Sequence, residues 1–289
     1  MGHLDDRAGL DGAVAMVVGG GGGLGRAAAE DLGRAGVRLA LCDRDPATLA
    51  ETAAALGEAG AEVLAAQLDA RDDEALRGFF DQALTHYRGR LDVLVNVVGG
   101  TFRQPFVESR RRGWETLVAT NFTWLLGAVQ RAVPPMRAGG GGSIINITSI
   151  EAHRAAPGYA VYAAMKAAVT SLTRSLAVEL APDRIRVNTV APDYVPTPGL
   201  QAMMGPPDAA RRLADRIAIP MGRQGTYADV GGCVLFLASG LSSFVSGTSL
   251  HPDGGAIASS GWFNWPGEGF SNHPPTAVVE HLLRQGEGS

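Results

Sequence analysis

Lysine is almost missing from this chain. Of its 25 basic residues only Lys166 is a lysine, and the rest are arginine. Cysteine is nearly as scarce: two residues, Cys42 and Cys233, exclude a disulfide framework, and no CxxC or Cys/His ligand spacing suggests a metal site. The six histidines are scattered, none paired with another at ligand spacing. An excess of positive charge is lacking too. A formal charge of −4 and a pI near 5.9 argue against a nucleic-acid partner, and the one basic cluster, Arg110 to Arg112, reads as a solvated helix face. The N-terminus has no apolar core, carrying Asp5, Asp6 and Arg7 instead, so it is not a signal peptide. The uncharged run Val230 to Leu250 is long enough for a bilayer, but glycines and serines break it into a buried helix, a turn and a strand. These absences lead to the expectation of a cytoplasmic protein with no membrane partner.

What is present is a repeat of apolar, β-type runs and helical segments. Strand-like runs fall at 13–18, 37–42, 62–68, 92–97, 143–148, 185–191 and 246–251. Helical patterns fall near 25–35, 46–59, 72–87, 109–137, 158–181 and 226–239. Continuous apolar strands alternating with helices predict an α/β fold, a mostly parallel seven-stranded sheet covered on both faces and doubly wound. Ligands then bind at the carboxyl ends of the strands. The expected organisation is one domain over 1–257, with a flap at 195–222 rich in Pro, Gly and Met. An aromatic extension follows at 258–289, whose Trp262, Phe263, Trp265 and Phe270 suggest a subunit interface or a pocket cap. The Gly139–Gly142 tract reads as a loop before the fifth strand.

Two constellations carry chemistry. Directly after the first strand comes Gly19-Gly-Gly-Gly-Gly23-Leu24-Gly25, opening a helix. Glycine lets the backbone turn tightly against a pyrophosphate, whose charge the helix N-terminus favours. Without a following Gly-Lys-Ser/Thr, a triphosphate loop is disfavoured. Asp43 stands 18 residues after Gly25, at the end of the second strand. A carboxylate there bonds a ribose 2′-OH and repels a 2′-phosphate, which favours NAD over NADP. Its other reading is the N-cap of the helix at 46–59, and Arg44 beside it leaves NADP open. The second constellation is Tyr162-Ala-Ala-Met-Lys166. Residues i and i+4 share a helix face, and an ammonium beside a phenol of ordinary pKa, about 10, favours the phenolate.

Over roughly 10–257 the chain resembles the short-chain dehydrogenase/reductase family. The matching pieces are Gly19-x-x-x-Gly23-x-Gly25, Asp69, Asn96-x-x-Gly99, Asn121, Ser149, Tyr162-x-x-x-Lys166, Pro192 to Thr197 and Asp253-Gly254-Gly255. Ser149 precedes Tyr162 by 13 residues, the family's separation. The resemblance implies an NAD(P)-dependent oxidoreductase. Tyr162 would exchange a proton with the substrate oxygen, Ser149 would hold that oxygen, and Lys166 would hold the nicotinamide ribose and tune Tyr162. Asn121 would organise a relay water. Asp69 would contact adenine, Asn96 would border the cofactor and Thr197 would reach the carboxamide. Leu24, Ala70, Pro192 and Val195 would complete the cofactor contacts. A compact ammonium suits this role where a planar, permanently charged guanidinium does not.

Three departures from the family pattern, Val18, Val97 and Val98, lie away from the chemistry. Asp193 replaces the usual glycine after Pro192, as a carboxylate at the nicotinamide edge or as a turn residue. The resemblance bounds a pocket by Ile150, His153, Arg154, Phe102, Tyr194, Leu200, Met203 and Met204. This mainly apolar set suggests a medium-sized hydrophobic secondary alcohol or ketone as the small-molecule substrate. A homotetramer or homodimer is expected by the same likeness. The alternatives are an NADPH-dependent 3-oxoacyl reductase and a catalytically silent dinucleotide sensor.

Overall fold

The computed structural model describes residues 2–197 and 208–286. In chain order the elements are α1 (His3–Ala8), β1 (Val14–Val18), α2 (Gly23–Arg34), β2 (Arg38–Asp43), α3 (Pro46–Glu58), β3 (Val63–Gln67), α4 (Asp73–His86), β4 (Val93–Asn96), α5 (Arg111–Val118), α6 (Trp124–Ala138), β5 (Gly142–Ile147), α7 (Ala160–Glu179), β6 (Ile185–Val190), α8 (Ala209–Ala218), α9 (Tyr227–Ala238), β7 (Ser249–Leu250), α10 (Ala256–Ser259), β8 (Phe263–Trp265), β9 (Gly269–Ser271) and α11 (Thr276–Gly286). Seven strands form one sheet in the order β3-β2-β1-β4-β5-β6-β7, every neighbouring pair parallel. The doubly wound α/β sandwich expected from the strand and helix runs is therefore present.

Pleating explains why central strands are apolar throughout, since alternate side chains enter opposite layers. From β1, Val14, Met16 and Val18 pack with Phe79 and Phe80 of α4 and with Trp124 and Leu125 of α6. Ala15 and Val17 face Ala28 and Leu32 of α2 and Val230 and Val234 of α9. Each fully buried Val, Leu or Phe contributes about 1.5–3 kcal/mol relative to exposure. The chain winds from β1 outward to β3, then crosses back to β4. This places the switch in winding direction between the carboxyl ends of β1 and β4.

Two expected elements differ. The strand expected at 246–251 shrinks to Ser249–Leu250, because side chains take over ladder bonds at this edge: Ser246 Oγ accepts from the Val187 amide and Asn188 Oδ1 from the Thr248 amide. The single helix expected at 109–137 is interrupted by a π-helical turn at Ala119–Thr123. Here Asn121 Nδ2 donates to Leu117 O and Trp124 Nε1 to Thr120 O. π-Turns of this kind concentrate at functional sites. The run 230–250 is a helix, a turn and a strand as expected, and no helix among the described residues is long and apolar enough to cross a membrane.

Past residue 257 the chain forms an antiparallel hairpin of β8 and β9, followed by α11. β8 packs on α8, the helix of the expected flap, within the same chain.

Candidate active site

The glycine turn is shaped by contacts that a side chain would destroy. Gly19 holds φ +92°, and a Cβ there would lie 2.9 Å from Val98 Cγ2. A Cβ on Gly25 would overlap the Gly19 carbonyl oxygen, so the first turn of α2 presses directly on the loop. Asp43 closes this turn from the side: its carboxylate accepts from the Gly21 amide at 3.0 Å and from the Asp45 amide at 3.2 Å. The N-cap of α3 is Asp45, which accepts from Ala47 and Thr48, so the capping reading of Asp43 falls away.

A cleft of about 200 Å³ opens beside the turn, lined by Gly19, Asp43, Arg44, Asp69, Ala70, Arg71 and Val97 to Gly99 among others. A backbone without side chains at one end and carboxylates at the other suits a dinucleotide, so the residues fit the cofactor implied by the fold. Asp69 is paired with Arg71, which holds its carboxyl below the usual range. Sequence reading passed over Arg71, although a basic residue two positions after the expected adenine contact was a signal available there. Asn96 does not line the cleft with its side chain. It is buried, and its amide donates to Asn146 Oδ1 at 2.8 Å across the β4–β5 pair; the cleft wall is built instead by Val97, Val98 and Gly99.

Ser149 follows β5, and Tyr162 and Lys166 lie one turn apart on α7. Lys166 is buried, 4% exposed, and its ammonium donates to the Ile147 carbonyl at 2.9 Å. Burial pushes its pKa down to about 8, and no carboxylate among the described residues pairs with it. Lys166 Nζ stands 5.8 Å from the centre of the Tyr162 ring. The phenol lies above its ordinary value, chiefly through burial, with a hydrogen bond to Ser149 opposing the rise and Glu151 adding to it. This reverses the direction expected from Tyr-x-x-x-Lys alone, because desolvation dominates.

Asn121 sits in the π-turn, buried, with its amide donating to Gly100 O and Leu117 O and its oxygen accepting from the Gly100 amide. A Cβ on Gly99 would lie 3.1 Å from both Asn121 Oδ1 and Lys166 Nζ, so these two polar atoms converge on one point of the loop after β4. The Asn121 amide hydrogens are both held by main-chain carbonyls. What the side chain visibly does is fix that loop to the π-turn.

On the far side, the Pro192 carbonyl accepts from the Ile150 amide, and Val195 is buried. A Cβ on Gly23 would meet Thr197 Cγ2 at 3.7 Å, so the segment after β6 reaches the glycine turn near Leu24. Ile150 is fully buried and does not form a pocket wall. His153 is exposed and stacks edge-on against His251, with burial and the neighbouring imidazole lowering its pKa. Tyr194 lies under the Arg211 guanidinium of α8 at 4.9 Å. Asp193 faces Arg154 at 3.4 Å. Leu200, Met203 and Met204 lie outside the described residues. The described rim is accordingly more polar than the sequence suggested.

Comparison with known proteins agrees with this fold. Residues 19–256 match the family described as enoyl-(acyl carrier protein) reductase. A 2,5-dichloro-2,5-cyclohexadiene-1,4-diol dehydrogenase of Sphingobium indicum is 33% identical over 246 residues, 85% of this chain and 96% of that one. The structure of a gluconate 5-dehydrogenase from Burkholderia cenocepacia with NADP and tartrate superposes with a TM-score of 0.82 at 33% identity, covering 89% of this chain and 99% of the other. A 7α-hydroxysteroid dehydrogenase with NADH and a 7-oxo bile acid gives 0.82 at 28% identity, covering 88% and 98%. On the family match, the shared fold and these relatives, the chain belongs to the short-chain dehydrogenase/reductase family, as an NAD(P)-dependent oxidoreductase of the secondary alcohol and ketone type.

Proposed function

We propose that this enzyme works with NAD in preference to NADP and that Ser149, Tyr162 and Lys166 carry the chemistry. The observation that most supports this is the buried Lys166 ammonium, without a carboxylate partner among the described residues, one helical turn from the half-buried Tyr162. Burying an unpaired charge is costly and persists where a ligand uses it. The nicotinamide, when bound, supplies the hydride acceptor for alcohol oxidation or the donor for ketone reduction.

Ser149 Oγ donates a hydrogen bond to the reacting oxygen and steadies charge developing there. Tyr162 gives its proton to that oxygen in reduction and takes it in oxidation. Because burial raises the phenol, its proton is held at neutral pH, and the rate of oxidation should rise toward alkaline pH. Lys166 donates to ribose hydroxyls and offsets negative charge on the phenolate. Asn121 keeps the Gly99–Gly100 loop beside Lys166. In the cleft, Asp43 accepts from a ribose hydroxyl and repels a 2′-phosphate, which separates this reading from an NADPH-dependent 3-oxoacyl reductase. A silent dinucleotide sensor would need neither Ser149 nor the phenol.

The catalytic unit spans 1–257, and the 258–289 extension braces the flap through β8 against α8, leaving Trp262 and Phe270 exposed for a second copy in a homo-oligomer. The named substrates of the relatives range from a cyclohexadiene diol to a bile acid, so they point to the carbinol and not to one scaffold. A panel of cyclic secondary alcohols with NAD and NADP, followed as reduced-cofactor absorbance, tests the reading. Turnover with NAD favoured is expected; no turnover with either cofactor overturns it.

A further inference from the structure

A cavity of about 800 Å³ lies at the end of the sheet opposite the dinucleotide cleft. Val93, Gly142 and Ile185, the first residues of β4, β5 and β6, line it, together with Ala13 just before β1. The tract Gly139–Gly142, to which the oxidoreductase chemistry gives no role, forms one wall without side chains. Gly141 holds φ +145°, and a Cβ there would lie 2.8 Å from Arg184 O. The volume falls within the range of small-molecule sites.

In a chain of net charge −4 this cavity is locally cationic. Four guanidinium groups line it, Arg7, Arg90, Arg184 and Arg186, against one carboxylate, Asp92. Asp92 is already engaged: its Oδ2 accepts from the Val14 amide and from Arg90 Nε, each at 2.7 Å. Arg186 donates to Ser242 Oγ and to the Leu237 and Ser239 carbonyls at the end of α9. The other helix ends that meet here close on themselves. Pro135, Met136 and Arg137 carbonyls of α6 accept from the Gly139, Gly141 and Gly140 amides, and Asp5 O of α1 accepts from the Gly9 amide. The side chains of Arg7 and Arg184 are left with no hydrogen bond or ion pair among the described residues. Arg184 also holds φ +58°, a conformation natural to glycine, yet the position carries an arginine.

We propose that this cavity is a second ligand site, which binds a polyphosphate group through Arg7 and Arg184. The site stands apart from the oxidoreductase centre and does not depend on it. Charge selects the ligand: four guanidinium groups against one carboxylate leave a surplus of three positive charges, which an anion neutralises and a cation does not. Guanidinium forks match phosphate oxygens two at a time. One phosphate carries about −1.5 to −2 at pH 7, so two or three phosphoryl groups answer the surplus, and the volume is too large for a single oxyanion. Phe244, wholly exposed on the same cavity, offers a nucleoside base a face to stack on. A nucleotide and a free polyphosphate are therefore the two sources of this chemistry.

The test is calorimetric titration of ATP and of tripolyphosphate into wild type, Arg7→Ala and the double variant Arg7→Ala/Arg184→Gly, with NADH in excess to fill the dinucleotide cleft. Thermal melts report on folding, and glycine takes the backbone of residue 184 without strain, so Arg184→Gly should not lower Tm. We expect saturable binding in the wild type that weakens at high salt. The double variant should bind at least about tenfold more weakly, as the loss of charge-assisted hydrogen bonds requires, with NADH affinity unchanged. If the double variant fails to fold, Arg7→Ala, a change on an exposed helix, decides. ATP held more tightly than tripolyphosphate, with the difference lost in Phe244→Ala, identifies a nucleotide; equal affinities identify the polyphosphate alone. No saturable heat from either ligand at millimolar concentration, or affinities in the folded variants within about twofold of wild type, overturns the inference and leaves the oxidoreductase standing.

Discussion

Lys166→Met should stabilise the fold while removing activity, and the gain should depend on pH in a defined way. The wild-type ammonium is buried and, among the described residues, bonded only to Ile147 O, and its pKa falls from 10.5 to about 8. At about 1.36 kcal/mol per pH unit this shift is worth about 3 kcal/mol. The sign follows from proton binding. Below pH 8 native and unfolded lysine both carry the proton, and the native state bears the full cost. Between pH 8 and 10.5 the native lysine is neutral while the unfolded one is still charged, so wild-type stability rises with pH. Above 10.5 the difference is gone. Methionine of similar length avoids the cost but leaves the Ile147 carbonyl without its donor, a loss of about 1 kcal/mol. The net gain at pH 7 is therefore about 2 kcal/mol, or about 3 °C in Tm for a chain of this size. It should vanish or reverse slightly by pH 10.5. Equilibrium urea unfolding followed by tryptophan fluorescence at both pH values reads this directly. A variant less stable than wild type at pH 7, or a gain independent of pH, would refute the picture of an unpaired buried ammonium.

Other expectations follow from the same geometry. Gly25→Ala puts a Cβ into the Gly19 carbonyl, and should lower stability by about 1–3 kcal/mol and weaken NADH binding in a fluorescence titration. Asp43→Ser removes the carboxylate while leaving Arg44, and should move the NAD to NADP ratio of kcat/KM toward NADP by at least about tenfold, about 1.4 kcal/mol. Truncation after residue 258 removes β8 from α8. It should raise substrate KM and expose 208–218 to limited proteolysis, with NADH affinity unchanged; unaltered KM, cleavage pattern and mass would show the tail to be idle.

The parts of this site legible in the sequence are those set by local geometry. An i, i+4 pair on a helix shares a face whatever surrounds it, so Tyr162 and Lys166 fall together as their spacing requires. The glycine turn was readable because a strand, a glycine cluster and a helix in succession leave the backbone few paths. What was not legible depends on other segments. Asn96 turns inward because Asn146 on the neighbouring strand offers an acceptor, and Ile150 is drawn into the core by packing that its own segment does not announce. The phenol pKa moved opposite to the expectation because spacing fixes nearness to an ammonium and says nothing about the depth of burial, which dominates. The polar rim of Glu151, Arg154 and Asp193 needed the loop after β6 to be brought against the turn after β5 before its charges could be counted together. The capping role of Asp45 was one residue choice away, in a sequence where Asp43 and Asp45 both precede the helix.

The account turns on the Tyr162 hydroxyl as the group that moves the proton. Its most direct test is Tyr162→Phe, assayed for alcohol oxidation and for NADH binding on the same preparation. The account predicts turnover reduced by about 10² to 10⁴, the range of general acid–base catalysis, with NADH affinity close to wild type. Turnover within a few fold of wild type would contradict it.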